Sequence, residues 1–373
     1  DTLHIVYNGK ADADTVMNCT NHSYFNLNGH ESGSIEGQVL QIFADAYTYI
    51  ALLCGGLATQ VLYNMLSSIL RALGNSKIPL YFLILSAGMN IILDLVFILV
   101  FRMGVAGAAW ATVISQGVSG LLCLVYIVKK VPILRMHRGD FRPHAPIVKK
   151  QLGIGLPMAL QFSITSIGGL MVQSALNSLG TFHIAAFTAA GKIEQLIHQV
   201  YSALGTTMAT YSAQNIGAGK ITRIRQGFRS ATIMGAIYSV AIGVVVFFFG
   251  SKLTWLFVTD DLDRVVPLVD IYMKAIAPFF LPLMAIYVYR NGVQGLGFGL
   301  LPMMGGVVEL FARMIVAKIS AHFMSYLGIC LASPAAWVSA GIFFLVVYAV
   351  VIRKIQRAFP EDGTPHLQNS NEK

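Results

Sequence analysis

Apolar runs of roughly 20 residues recur along this chain, each long enough to cross the ~30 Å hydrocarbon core of a bilayer. No other feature restricts the fold so tightly. Lipid offers no hydrogen bonds to an open backbone, so a spanning segment must be a helix or part of a closed barrel. Barrel strands need only about 10 residues, so runs of this length predict an all-α polytopic membrane protein. About nine spans are predicted, near 49–71, 79–101, 105–128, 151–179, 184–212, 229–258, 268–292, 301–325 and 334–352. Gly and Pro mark most of the breaks: GNSKIP at 74–79, PILRMHRGDFRPHAP at 132–146, NIGAGK at 215–220 and GLGFGLLP at 295–302.

Composition agrees. Hydrophobic residues make up 55% of the chain and charged residues 12%, against about a quarter charged in a typical soluble domain. The net charge of +9 does not point to nucleic acid, because the basic residues sit in short segments between apolar runs. The four cysteines, Cys19, Cys54, Cys123 and Cys330, are scattered without a CxxC pair and predict no metal site. Residues 1–40 are polar, so no signal peptide is expected.

Charge placement orients the spans. Lys129, Lys130, Arg135, Arg138, Arg142, Lys149 and Lys150 face a single acid, Asp140, in the segment 129–150. Lys220, Arg223, Arg225 and Arg229 form a second basic segment, and Arg353, Lys354 and Arg357 a third. Gly180–His183 and TDDLDR at 259–264 are poor in basic residues. Positive loops stay in the cytoplasm. One alternating path satisfies every assignment, with residue 49 outside and the C-terminus inside. A cell (inner) membrane location follows, with lipid as a partner and no nucleic acid.

The chain also repeats itself. Tyr49, Leu73-Gly74 and Pro79 match Tyr272, Leu296-Gly297 and Pro302 at a constant offset. Further on, Ala108-Ala109-Trp110 matches Ala335-Ala336-Trp337, with Thr112 facing Ser339. A same-orientation repeat implies two bundles with substrate bound between them near mid-membrane. The second copy holds six spans and the first three, so three N-terminal spans are expected to be missing before Tyr49. The expected organisation is 1–46 as an incomplete fragment, 47–128 as half of one lobe and 129–150 as a basic linker. Residues 151–352 form the other lobe and 353–373 a cytoplasmic tail.

From Tyr47 to about Arg357 the sequence resembles a multidrug and toxin extrusion (MATE) transporter. YNMLSSILRALGNSKIPL, MNIILDLVFI, GVAGAAWATVISQ, GIGLPMALQFSI, ATYSAQNIGAGK and PAAWVSA carry the resemblance, in this order. It implies a twelve-helix fold of two six-helix lobes, here a MATE-like two-lobe bundle lacking its first three helices. It also implies export of organic cations or drugs in exchange for Na+ or H+. Residues 1–46 resemble instead a galactose mutarotase (aldose 1-epimerase), through TVMNCTNHSYFNLNGH and LQIFADAYT, and imply a short β-type fragment. His22 would match that family's general acid. Its partner histidine and its glutamate base are absent from the segment, and ring opening needs both an acid and a base. DAYTYI fits both families, which places the joint at Asp45–Tyr49 and suggests a fusion or an assembly error.

Each intramembrane charge needs a reason, because one at the bilayer centre costs about 2.5–3.5 kcal/mol on insertion scales. Asp94 and Asn90 lie one turn apart on one helical face. Thr112 falls at a similar depth, roughly 10 Å from the outer ends of the spans. These three offer hard oxygen ligands to a small cation, and the resemblance matches them to the family's N-lobe cation site. A bracing Asp–Asn pair is the other reading. Glu309 and Arg313, also one turn apart, are expected to neutralise each other or to line a substrate cavity. Glu194 and His198 share a face and can form a proton-sensitive pair or line the cavity, while Lys192 points elsewhere and snorkels. Where some MATE branches carry a carboxylate, this chain reads QFSITSIG with Thr165, which argues against a sodium site there. Fifteen methionines and 11% aromatic residues suit flat cations and equally suit a membrane core.

The expected function is export of organic cations by Na+- or H+-coupled antiport from a monomer without a cofactor. A lipid-linked precursor flippase and an inactive fusion fragment are the rivals.

Overall fold

The computed structural model describes residues 36–134, 144–256 and 262–358, and among these the secondary structure is helical, with no strand. The chain divides into two compact units, residues 1–142 and 143–373. In each unit the outer helix faces carry exposed Leu, Ile, Val and Phe, as surfaces turned to lipid do.

The first unit begins with α1 (Glu36–Gly55) and α2 (Leu57–Ala72), which meet at a bend of 47°. The bend has a packing cause. A Cβ on Gly56 would lie 2.2 Å from Val113 Cγ2, so only glycine lets the chain approach its neighbour there. α3 (Lys77–Leu95) runs directly into a π-helical turn, Val96–Val100, and α4 (Gly104–Lys130) returns. α4 packs against α1, α2 and α3 and so holds the unit together. Tyr63, Leu66, Leu70, Cys123 and Ile127 form the core between α2 and α4.

The second unit contains α5 (Ala145–Asn177), α6 (Thr181–Gly217), α7 (Ile221–Phe249), α8 (Leu262–Ile276), α9 (Phe280–Gly295), α10 (Leu300–His322), α11 (Tyr326–Cys330) and α12 (Ala332–Ala358). A 3₁₀ turn at Ala277–Phe279, containing Pro278, separates α8 from α9. α9 is the most enclosed element, packed on α6, α7, α10 and α12. Tyr201, Phe228, Tyr272, Phe280 and Phe344 are the largest fully buried side chains of this core.

Among the described residues seven helices are long and apolar enough to span a membrane, or eight if the bent α1–α2 pair is one span. The ninth expected span, 184–212, lies within the 37-residue α6 but does not meet that test of composition. Lys192, Glu194, Gln195, His198 and a series of Ser and Thr residues make it too polar.

The repeat is visible in the backbone. Gly74 (φ 85°) and Gly297 (φ 94°) each end a helix in the left-handed region that glycine adopts without strain. Around them the hydrogen bonds match one for one. Gly74 N donates to Arg71 O and Asn75 N to Leu70 O, as Gly297 N donates to Gln294 O and Phe298 N to Val293 O. The helix breaks also correspond, Gly55–Gly56 in the first copy and Ala277–Phe279 in the second.

The β-type fragment expected at 1–46 falls mostly outside the described residues, His22 and Cys19 included. Residues 36–46 belong to α1 and are helical. A strand depends on neighbours for its hydrogen bonds, whereas a helix satisfies its own backbone.

Candidate functional site

Two buried polar centres stand out, one in each unit. In the first, two hydroxyls fix the register of α3 against α4: Ser86 Oγ donates to Ser115 O at 3.0 Å and Ser119 Oγ to Phe82 O at 2.9 Å. The helices are antiparallel, so one turn further Asn90 comes level with Ala111 and Thr112, and Asp94 with Gly107. Small residues line that stretch of α4: Gly107, Ala109 and Ala111 are buried. Asn90 Nδ2 and Asp94 Oδ1 are both buried and have no hydrogen-bond partner among the described residues. They do not bond to each other, so the bracing reading lacks its bond. Thr112 Oγ1 donates to Ala108 O of its own helix at 3.0 Å, which leaves its lone pairs open. Asp94 stands at the mouth of the π-helical turn, an irregularity frequent at functional sites.

In the second unit a chain of polar side chains crosses four helices. On α6, Glu194 accepts a hydrogen bond from the Tyr272 hydroxyl of α8. His198, one turn on, places Nε2 3.2 Å from Glu194 Oε1. Its Nδ1 is 3.4 Å from the Tyr287 hydroxyl of α9. The Arg290 guanidinium lies 5.2 Å from the centre of the Tyr287 ring and pairs with Glu309 of α10, Nη1 to Oε1 3.7 Å. The Trp337 ring of α12 packs 5.9 Å from the His198 ring. Counting from the start of α6, Glu194 is roughly 20 Å along the helix.

Glu309 and Arg313, buried at 4% and 8% exposure, do not meet within ion-pair distance, yet the Arg313 charge still favours the Glu309 carboxylate, after the nearer Arg290. Arg313 turns toward α5, where Nη1 approaches Thr165 O at 3.4 Å in the space that Gly168 leaves open. Arg290 is the side chain in contact with Glu309. Arg290 carries the same signal as Asp94, a charge in an apolar run, but the span boundary expected at 292 put it near the interface. Tyr272, Tyr287 and the buried Gln294–Gln161 bond of 3.0 Å had no signal, because Tyr and Gln in a membrane helix do not announce a partner. Thr165 bonds back to Gln161 O at 3.0 Å. Lys192 is exposed, on a face of α6 away from the buried Ile193 and Ile197. By the repeat, Ser86 and Asn90 occupy the places of Glu309 and Arg313, each within its own copy.

Comparison with known proteins separates the chain in two. Residues 157–319 match the MatE family model, and residues 1–61 match that of aldose 1-epimerase. The chain is 32% identical over 250 residues to the probable multidrug resistance protein YpnP of Bacillus subtilis, covering 66% of this chain and 55% of that protein. It is 25% identical over 298 residues to the probable multidrug resistance protein NorM of Thermotoga maritima, covering 78% and 62%. The chain thus spans about half the length of the curated relatives it matches. Among solved structures, a mutant of the Vibrio cholerae MATE transporter VcmN superposes with a TM-score of 0.78 at 20% identity, covering 86% of this chain and 73% of that one.

Proposed function

We propose that this chain, whose helical part is of the MATE family and forms a multi-pass membrane protein, exports organic cations in exchange for sodium ions or protons. The observation that carries this reading is the unpartnered pair Asn90–Asp94 beside the open hydroxyl of Thr112. A carboxylate oxygen buried without a donor is costly unless something cationic visits it. The ion binds one conformation of the transporter better than the other and so biases alternating access. The multidrug names of the Bacillus and Thermotoga relatives support drugs and other organic cations as the cargo. The basic segments at 129–150, 220–229 and 353–357 support a cytoplasmic C-terminus in the inner membrane. The organisation into half a lobe at 47–128, a linker at 129–150, a full lobe at 151–352 and a tail agrees with this reading. So does action as a monomer.

The segment 1–46 adds no mutarotase activity in this proposal, because His22 lacks an opposing base. Helix α1 runs unbroken from Glu36 to Gly55 across the expected joint, and the aldose 1-epimerase match overlaps the transporter-like stretch. Both observations support a joined chain, and sequencing genomic DNA across the codons for residues 40–52 tests it.

Ethidium efflux tests the transport reading, in cells without their own pumps. Two versions are compared: the chain as it stands, and one in which the corresponding N-terminal segment of the Bacillus relative replaces residues 1–46. Export by the extended version is expected. No export, together with rescue of a precursor-flippase defect, would replace this reading with the flippase.

A further inference from the structure

The side chains of Tyr272, Glu194, His198 and Tyr287 form one continuous polar chain inside the second unit, and we propose that it is a proton-binding site with the His198 imidazole as acceptor. The inference rests on the reading of this chain as a cation-coupled exporter and names where the second unit takes its ion.

Geometry decides which cation fits. The Tyr272 hydroxyl donates to Glu194 Oε2, and His198 Nε2 stands 3.2 Å from Oε1. One carboxylate oxygen is thus taken by an O–H group, while Nε2, close to the other, is buried without a hydrogen-bond partner. A sodium ion needs several oxygen ligands and would find one free carboxylate oxygen here. A proton needs one lone pair, and Nε2 of His198 supplies it.

The bookkeeping closes on these atoms. In the empty state the neutral imidazole donates Nδ1–H to the Tyr287 hydroxyl, at 3.4 Å, and keeps the Nε2 lone pair free. An arriving proton binds the Nε2 lone pair. The new Nε2–H faces Glu194 Oε1, 3.2 Å away, and the pair becomes imidazolium beside carboxylate. Net charge at the centre goes from −1 to 0.

The neighbouring charges are otherwise engaged. On α9, Arg290 is paired with Glu309 of α10. On α8, Asp270 is paired with Lys274 at 2.6 Å. On α7, the Tyr238 hydroxyl bonds Ile197 O and Tyr201 of α6 bonds Ser239. Tyr326 and Cys330 of α11 are buried near Tyr272, and Lys252 lies over the Phe249 ring. α5 turns the uncharged Gln161 and Thr165 inward, and Lys192 stays on the exposed face of α6. Glu194 is thus the acid that faces His198.

Trp337 reports on the site directly, since its ring packs 5.9 Å from the imidazole and an imidazolium quenches a neighbouring indole. The full chain is purified in detergent with Trp110→Phe and Trp255→Phe, so that Trp337 alone emits. Between pH 8 and 5, emission is expected to fall roughly two-fold. His198→Gln is expected to flatten the profile, and exchanging choline chloride for sodium chloride to leave it in place. A flat profile in the parent, quenching that survives His198→Gln, or a profile displaced by sodium would overturn the proposal. Ethidium efflux in parallel keeps the two readings apart. Efflux with a flat profile removes the proton site alone, and quenching without efflux removes the export reading alone.

Discussion

Asp94→Asn keeps the size of the side chain and removes its charge, so it separates a cation ligand from a helix brace. Asp94 Oδ1 is buried without a hydrogen-bond partner. An unsatisfied buried acceptor costs ~1–3 kcal/mol, and more when charged. An amide has no charge to bury, so in cation-free buffer the variant should be more stable than the parent by about 2 kcal/mol. A bound cation reverses the order. At a hundredfold excess over Kd it adds about 2.7 kcal/mol to the parent and nothing to a variant that cannot hold it. The full chain is purified in detergent and its thermal unfolding followed in choline chloride, in sodium chloride and at low pH. The variant should unfold at the higher temperature in choline at alkaline pH and lose that lead once the coupling ion is present. Efflux by the extended version should stop. A variant that unfolds earlier in every buffer while keeping efflux would show that Asp94 braces helices and binds no ion.

Three further outcomes are expected. Arg290→Met should destabilise the protein by up to ~3 kcal/mol because it leaves buried Glu309 with only the more distant Arg313 charge; adding Glu309→Leu should recover most of that, and an additive loss in thermal unfolding would contradict the pairing. Gly295→Ala should cost at least about 1–3 kcal/mol, since its Cβ would lie 2.1 Å from Ala209 O, whereas Gly88→Ala, with nothing within 4 Å, should not destabilise at all. Asp263→Cys should react with an impermeant thiol reagent from outside the cell and Arg225→Cys only from within, and the reverse labelling would invert the topology.

Much of the fold was legible because lipid leaves few alternatives to a long apolar run. The turn residues were also clear: Gly74 and Gly297 stand where a left-handed backbone is needed, so their shared offset exposed the repeat. α6 was legible as a helix, but Lys192, Gln195, Ser202, Thr206 and Thr207 are exposed on it and it is not apolar enough to count among the candidate spans. Glu309 and Arg313 keep their charge coupling but not a direct contact. Spacing along one helix says which side chains can meet, and Gly168 on another helix leaves Arg313 room to turn away. The partner Arg290 sits on α9, and no local pattern ties it to α10. The π-helical turn at Val96–Val100 was equally hidden, since VFILV reads as ordinary helix.

That turn has a genetic consequence. From Gly74 to the left-handed Arg102 the first copy is one residue longer than the second is from Gly297 to Met324. A π-helical turn is where a helix absorbs an inserted residue. Each residue advances a helix by about 100°, so deleting a single codon within 96–100 would swing Asp94 out of register with Gly107. One duplicated half could thus have acquired its carboxylate site by an in-frame insertion, and the other its Glu309 and Arg313 by substitution. Indels of three bases in this stretch should then be the sharpest natural switch of ion use among such chains.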